Sequence, residues 1–87
     1  MAVFTERTPN PNAVKFKSDK PIFSGEDSFS AMLGEKSEFP ILNEILALDN
    51  VINVLGYQDF ITVNKTDLVE WDELIPKVIA IMETHGY

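Results

Sequence analysis

The 87-residue sequence contains no cysteine and a single histidine. The first absence excludes disulfides, a thiol nucleophile and thiolate ligation of any metal centre by this chain. The second leaves a zinc site dependent on three carboxylates, an uncommon donor set. The four glycines stand apart at positions 25, 34, 56 and 86, so no glycine-rich loop can cradle a phosphate. No apolar run approaches the ~20 residues needed to span a bilayer. The opening Met1–Arg7 lacks the basic start and apolar stretch of a signal peptide. These absences lead to the expectation of a cytoplasmic protein with no membrane association.

Positive charge is also scarce, with seven basic residues against fourteen acidic ones and a net charge of −7. A surface of this sign repels a phosphate backbone, which argues against nucleic acid. The deficit is uneven. Residues 1–20 hold Arg7, Lys15, Lys17 and Lys20 against Glu6 and Asp19, a net of +2, and the remainder carries −9. The length fits one domain over residues 1–87. A hydrophobic content of 45% suits a folded core.

Thr8-Pro9-Asn10-Pro11-Asn12 is a rigid turn: each proline lacks a donor, and each asparagine can bond its own backbone. It separates a short β-prone piece at Ala2–Thr5 from Ala13–Lys17, where apolar and basic residues alternate with the strand period. Ile22-Phe23 reads as a short edge piece and Ser28–Met32 as a further strand. Phe39-Pro40 opens a helix, proline being tolerated in the first turn. Ile41, Leu42, Ile45, Leu46 and Leu48 form its core stripe, and Asp49-Asn50 ends it. Two β-branched runs, Val51–Leu55 and Phe60–Lys65, flank a hairpin turn at 56–59 in which Asp59 suits an Asx turn. Asp67 and Glu70 have the spacing of a capping box. A helix follows, starting there or near Trp71, with Trp71, Leu74, Ile75, Val78, Ile81 and Met82 on one face, Pro76 in its early turns and Gly86 closing it. The expected fold is α/β of the α+β type. It is a two-layer sandwich with a mainly antiparallel sheet of about four strands and two helices on one face.

Reactive constellations are hard to find. His85 sits near a helix end, where the dipole favours it without any catalytic task. Asp72 and Glu73 suit a helix N-terminus, and Glu26-Asp27 and Glu35 with Glu38 lie in polar loops. No nucleophile–base pair stands out, so no enzyme activity is expected. The proline-fixed Thr8–Asn12 loop, beside Lys15 and Lys17, is the most function-like element.

Two segments together carry a resemblance. Thr8-Pro9-Asn10-Pro11-Asn12-Ala13-Val14-Lys15-Phe16 resembles the opening signature of the Nfu/NifU-like N-terminal domain family. Asp59-Phe60-Ile61-Thr62-Val63-Asn64-Lys65 resembles that family's hairpin, and Trp71, Leu74, Pro76 and Val78 its last helix. Phe39 stands where the family places serine, so the first helix needs another cap, for which Ser37 is the candidate. Asn50 stands where the family places glycine.

The resemblance implies a role in iron–sulfur cluster assembly. Full-length members carry a second domain whose paired cysteines hold the cluster, so this chain reads as a copy of the first domain without the second. The implied function is therefore a non-catalytic accessory module that docks a protein partner of the iron–sulfur pathway. No cofactor would be bound by this chain alone, with any cluster link passing through the partner. The expected partner surface is Asn10, Asn12, Lys15, Asp59, Thr62 and Lys65, on a monomer or weak dimer. A weak carboxylate-based iron-binding protein and a regulatory protein unrelated to metal are the alternatives.

Overall fold

The computed structural model describes residues 3–87. Five strands and two helices follow one another as β1 (Val3–Arg7), β2 (Ala13–Ser18), β3 (Ser28–Met32), α1 (Pro40–Leu46), β4 (Val51–Tyr57), β5 (Phe60–Lys65) and α2 (Trp71–Thr84). All neighbouring strands are antiparallel, in the order β1-β2-β5-β4-β3. The sheet has five strands where about four were expected, and Ser28–Met32, read as a strand, pairs along β4. The expected strand at Ala2–Thr5 appears as Val3–Arg7. Its first residue, Ala2, lies outside the described residues.

Alternation decides which face of the sheet is buried. Val14 and Phe16 of β2, Ile61 and Val63 of β5, and Val54 of β4 point inward and are all but fully buried. Ile41, Leu42, Ile45 and Leu46 of α1 and Trp71, Leu74, Val78 and Met82 of α2 close over them as one continuous core. Both helices thus lie on one face, and the opposite face bears no helix. An antiparallel sheet tolerates this arrangement, one side packed and one side wet.

Local sequence explains most boundaries. In α1 no side chain caps the first turn; Pro40 at its start removes one donor that would otherwise want a partner. Ser37 is not the cap. Its hydroxyl accepts from the Phe39 N–H (3.1 Å), while the Asn43 amide reaches back to bond the Ser37 N–H and carbonyl, both at 2.8 Å. The helix stops at Leu46, two residues before Leu48 of the apolar stripe. Asn50 then takes a left-handed φ of 70° and turns the chain into β4. Asparagine pays less than most residues for that conformation.

The hairpin is tighter than the sequence pattern implied. Gly56 and Tyr57 belong to β4, and Tyr57 pairs with Phe60, leaving Gln58 and Asp59 as the turn. Gln58 supplies the positive φ of 49°, and Asp59 contributes its carbonyl, which accepts from the Ser18 N–H at 2.7 Å. Ile22 and Phe23 are not a strand; both their N–H groups bond the Gln58 carbonyl at 2.8 Å. That anchor drives the Phe23 ring against Gly56, where any Cβ would overlap it. Phe23 packs edge-on to Phe39 at 5.1 Å, and Phe29 meets Phe39 at 4.6 Å, closing the core at this end.

The expected capping box does not form. α2 begins at Trp71 after Glu70, again without a side-chain cap, because Asp67 is engaged elsewhere. Asp72 and Glu73 place negative charge in its first turn, where the dipole favours it. At the far end the Tyr87 N–H bonds the Met82 carbonyl and the Gly86 N–H bonds that of Glu83, with Gly86 at φ 90°. This is a Schellman closure, as the position of Gly86 led one to expect.

Candidate functional site

The Thr8–Asn12 loop joins β1 to β2 and is built largely from its own side chains. The Thr8 hydroxyl lies 2.9 Å from both the Asn10 and the Ala13 carbonyls, between which it shares its one proton, and the Asn10 side chain accepts from the Asn12 N–H at 2.9 Å. With two prolines limiting φ as well, this loop has few alternatives to its observed shape.

It is also fastened to the far end of the chain. Trp71 donates its indole N–H to the Pro11 carbonyl (3.0 Å) and packs at 6.2 Å from Phe16. The buried indole thereby finds the partner that its polar edge requires. The Asn12 side chain is a bridge: its Nδ2 donates to Asp67 Oδ1 (2.8 Å) and its Oδ1 accepts from Lys65 Nζ (3.3 Å).

Lys65 is the unusual residue here. It occupies the inward position after Ile61 and Val63 on β5 and is only 6% exposed, yet among the described residues no carboxylate pairs with it. Its ammonium donates to Asn12 Oδ1 and to the Thr66 carbonyl (3.1 Å) and lies 5.5 Å from the centre of the Trp71 ring. Dipoles and a π face, in place of a counter-ion, hold the charge.

The six residues expected to share a surface are strung along the β2–β5 pair. Asn12 and Lys65 meet at one end, with Asn10 exposed beside them. Lys15 and Thr62 pair in mid-strand on the helix-free face, where the Lys15 ammonium sits 4.1 Å over the Phe60 ring and 4.0 Å from Glu6. Asp59 lies at the opposite end, a span of about 20 Å at the usual rise per strand residue. Asp67 and Trp71, which the expected surface omitted, complete the cluster around Asn12. Strand parity at 61, 63 and 65 was the signal for a buried Lys65, and the unpaired indole donor was the signal for Trp71.

His85 is half-buried, its Nε2 lying 2.5 Å from Glu44 Oε2 and tying the end of α2 to α1. A cleft of about 320 Å³ opens between residues 33–36 and Asn43, Leu46 and Ala47, without converging catalytic groups. Among the described residues no three His, Asp or Glu side chains gather as metal ligands would, and no helix is long and apolar enough to cross a membrane.

The scaffold protein Nfu/NifU N-terminal family matches residues 3–87, nearly the whole chain. The chain belongs to this family. It is 36% identical over 83 residues to NifU-like protein 5, mitochondrial, of Arabidopsis thaliana, covering 94% of this chain and 30% of that protein. It is 30% identical over 81 residues to the NFU1 iron-sulfur cluster scaffold homolog, mitochondrial, of Homo sapiens, covering 92% of this chain and 32% of that one. The chain thus spans about a third of the length of these curated relatives. Among solved structures it is similar to protein SAV1430 from Staphylococcus aureus, with a TM-score of 0.81 and 28% identity over 94% of this chain and 99% of that one. The Nfu/NifU family is associated with iron–sulfur cluster biogenesis.

Proposed function

We propose that this Nfu/NifU N-terminal domain is a non-catalytic docking module of iron–sulfur cluster assembly, presenting the Thr8–Asn12 loop to a cysteine-bearing protein partner. Family membership supports the pathway, and with no cysteine among these residues any cluster ligation would come from cysteines elsewhere, on a partner or a second domain. The observation that carries the docking role is the loop itself. Its backbone is held by Trp71 and Lys65 from elements far away in sequence, while Pro9, Asn10 and Pro11 stay exposed. A surface ordered in advance loses little entropy when a partner lands on it. Asn10 and Asn12 form this end of the proposed surface, with the buried Lys65 holding Asn12 from the helix-covered side; Lys15 and Thr62 stand on the helix-free face and Asp59 at the far end of the β2–β5 pair.

The test is amide chemical-shift mapping of the 87-residue chain against a purified cysteine-bearing cluster carrier domain. The expected result is saturable perturbation at 8–13 and 59–65. Saturating carrier that perturbs neither segment would refute the assignment.

A further inference from the structure

The helix-free sheet face is not a uniformly polar solvent face. In register across it stand Phe4 (β1), Lys17 (β2), Phe60 (β5), Tyr57 (β4) and Ser28 (β3), and in the next row Glu6, Lys15, Thr62, Leu55 and Ser30. Tyr57 and Phe60 are in edge contact at 5.9 Å. Leu55 lies two residues along β4 on the same face, and Met32 on β3 lies diagonal to it. Cross-strand diagonals of this kind are within side-chain reach. An apolar band therefore runs obliquely from Phe4 to Met32, with exposures of 55% for Phe4, 37% for Leu55 and 61% for Met32. Single exposed apolar residues are ordinary on a monomer, but apolar residues from four of the five strands gathered on one face, with the Lys15 and Lys17 stems of β2 between Phe4 and Phe60, are a mark of interaction.

Charge is divided between the layers in a way that selects the occupant. The strands hold Arg7, Lys15, Lys17 and Lys65 against Glu6 alone, a net of +3, of which Lys15, Lys17 and Glu6 stand on the open face (+1) while Lys65 is buried and Arg7 pairs with the inward Val14. The helices and connections hold the other thirteen carboxylates against Lys20, Lys36 and Lys77, a net of −10. On the open face the charged groups are Lys15, Lys17 and Glu6. A basic partner would be drawn to the helical side; an acidic one meets attraction only at the sheet. The band is about 19 Å across five strands at the usual spacing, the length of about 13 helical residues.

We infer that this face docks an amphipathic helix whose apolar stripe lies on the Phe4–Phe60–Tyr57–Leu55–Met32 band and whose flanking carboxylates meet Lys15 and Lys17. A helix laid here would give the sheet the second covering layer that it lacks. The Lys15 ammonium, already over the Phe60 ring, is placed to pair with a carboxylate at the edge of such a stripe.

The probe is a synthetic helix of about 14 residues with leucines at i, i+3, i+4 and i+7 and glutamates on the flanks. A second peptide has lysine in place of each glutamate. Titrated into the isotope-labelled chain, the glutamate peptide is expected to perturb amides of β1, β2, β4 and β5 around Phe4, Lys17, Leu55 and Phe60. It should bind at least tenfold tighter than the lysine peptide. The double variant Lys15→Glu/Lys17→Glu should lose at least tenfold of that affinity, and Phe4→Ser/Leu55→Ser should abolish it, both with native-like spectra. Asn12→Ala should leave it unchanged, which separates this surface from the loop. Equal or stronger binding of the lysine peptide, perturbations confined to the helices or to residues 8–13, or no saturable change at millimolar peptide would overturn the inference. So would concentration-dependent shifts of these same residues in the free protein together with a dimer mass, which would make a second copy the occupant.

Discussion

Replacing Asn12 with alanine takes away the bridge between Asp67 and the buried Lys65 ammonium. Lys65 then keeps only the Thr66 carbonyl at 3.1 Å and the Trp71 ring at 5.5 Å. A hydrogen bond to a charged group is worth about 1.5–3 kcal/mol, and at 3.3 Å the Asn12 bond belongs at about the lower end of that range. The exposed bond from Asn12 to Asp67 adds about 0.5 kcal/mol at most. Asn12→Ala should therefore destabilise the fold by about 2 kcal/mol, lowering Tm by roughly 8–16 °C for a domain of this size. Lys65→Met removes the charge while keeping the aliphatic stem, and apolar replacement of a buried charge is often near neutral. In that background Asn12→Ala should cost only about 0.5 kcal/mol, the part owed to Asp67. The coupling of about 1.5 kcal/mol is read from urea unfolding of the two single variants and the double variant. An Asn12→Ala cost that is the same with Lys65 and with Met at 65 would refute the reasoning, since Asn12 would then not be what holds the buried charge.

Gly56→Ala should destabilise by about 1–3 kcal/mol through overlap with the buried Phe23 ring. Thermal unfolding measures the loss, and Phe23→Leu should recover part of it. Trp71→Phe keeps the packing on Phe16 but strips the Pro11 carbonyl of its donor, at about 1 kcal/mol. Hydrogen exchange at 10–13 should accelerate by more than exchange in α1. Pro76 is exposed within α2, where its missing N–H leaves the Asp72 carbonyl without its helical partner. Pro76→Ala should stabilise by about 1–2 kcal/mol in chemical denaturation, the gain trimmed by the freer unfolded chain.

Much of the chain was legible from local chemistry. Alternation in Ala13–Lys17 and Phe60–Lys65 placed those strands and their inward residues, because a sheet face repeats every two residues. The stripe Trp71–Met82 and the terminal Gly86 placed α2 and its closure for equally local reasons. Where local rules offered several users for one group, reading failed. Asp67 has the spacing of a cap, yet Asn12, fifty-five positions away, takes its carboxylate. Gly56 reads as a turn residue, yet its role is to make room for Phe23.

By itself the sequence determined that this chain holds no thiolate-bound cluster, that it forms an antiparallel sheet with two helices, and that a proline-stiffened loop precedes β2. Each follows from composition or short-range periodicity, which neighbours along the chain enforce. Only the tertiary structure decided what that loop rests on, that Lys65 is buried without a carboxylate partner among the described residues, and that the six expected surface residues are divided between the two faces of the β2–β5 pair along about 20 Å. It also decided that Lys15, Lys17 and an apolar band share one uncovered face of the sheet. These depend on strand order and on which side the helices pack. Those are set by the joint burial of residues from all seven elements, and no window along the sequence contains them.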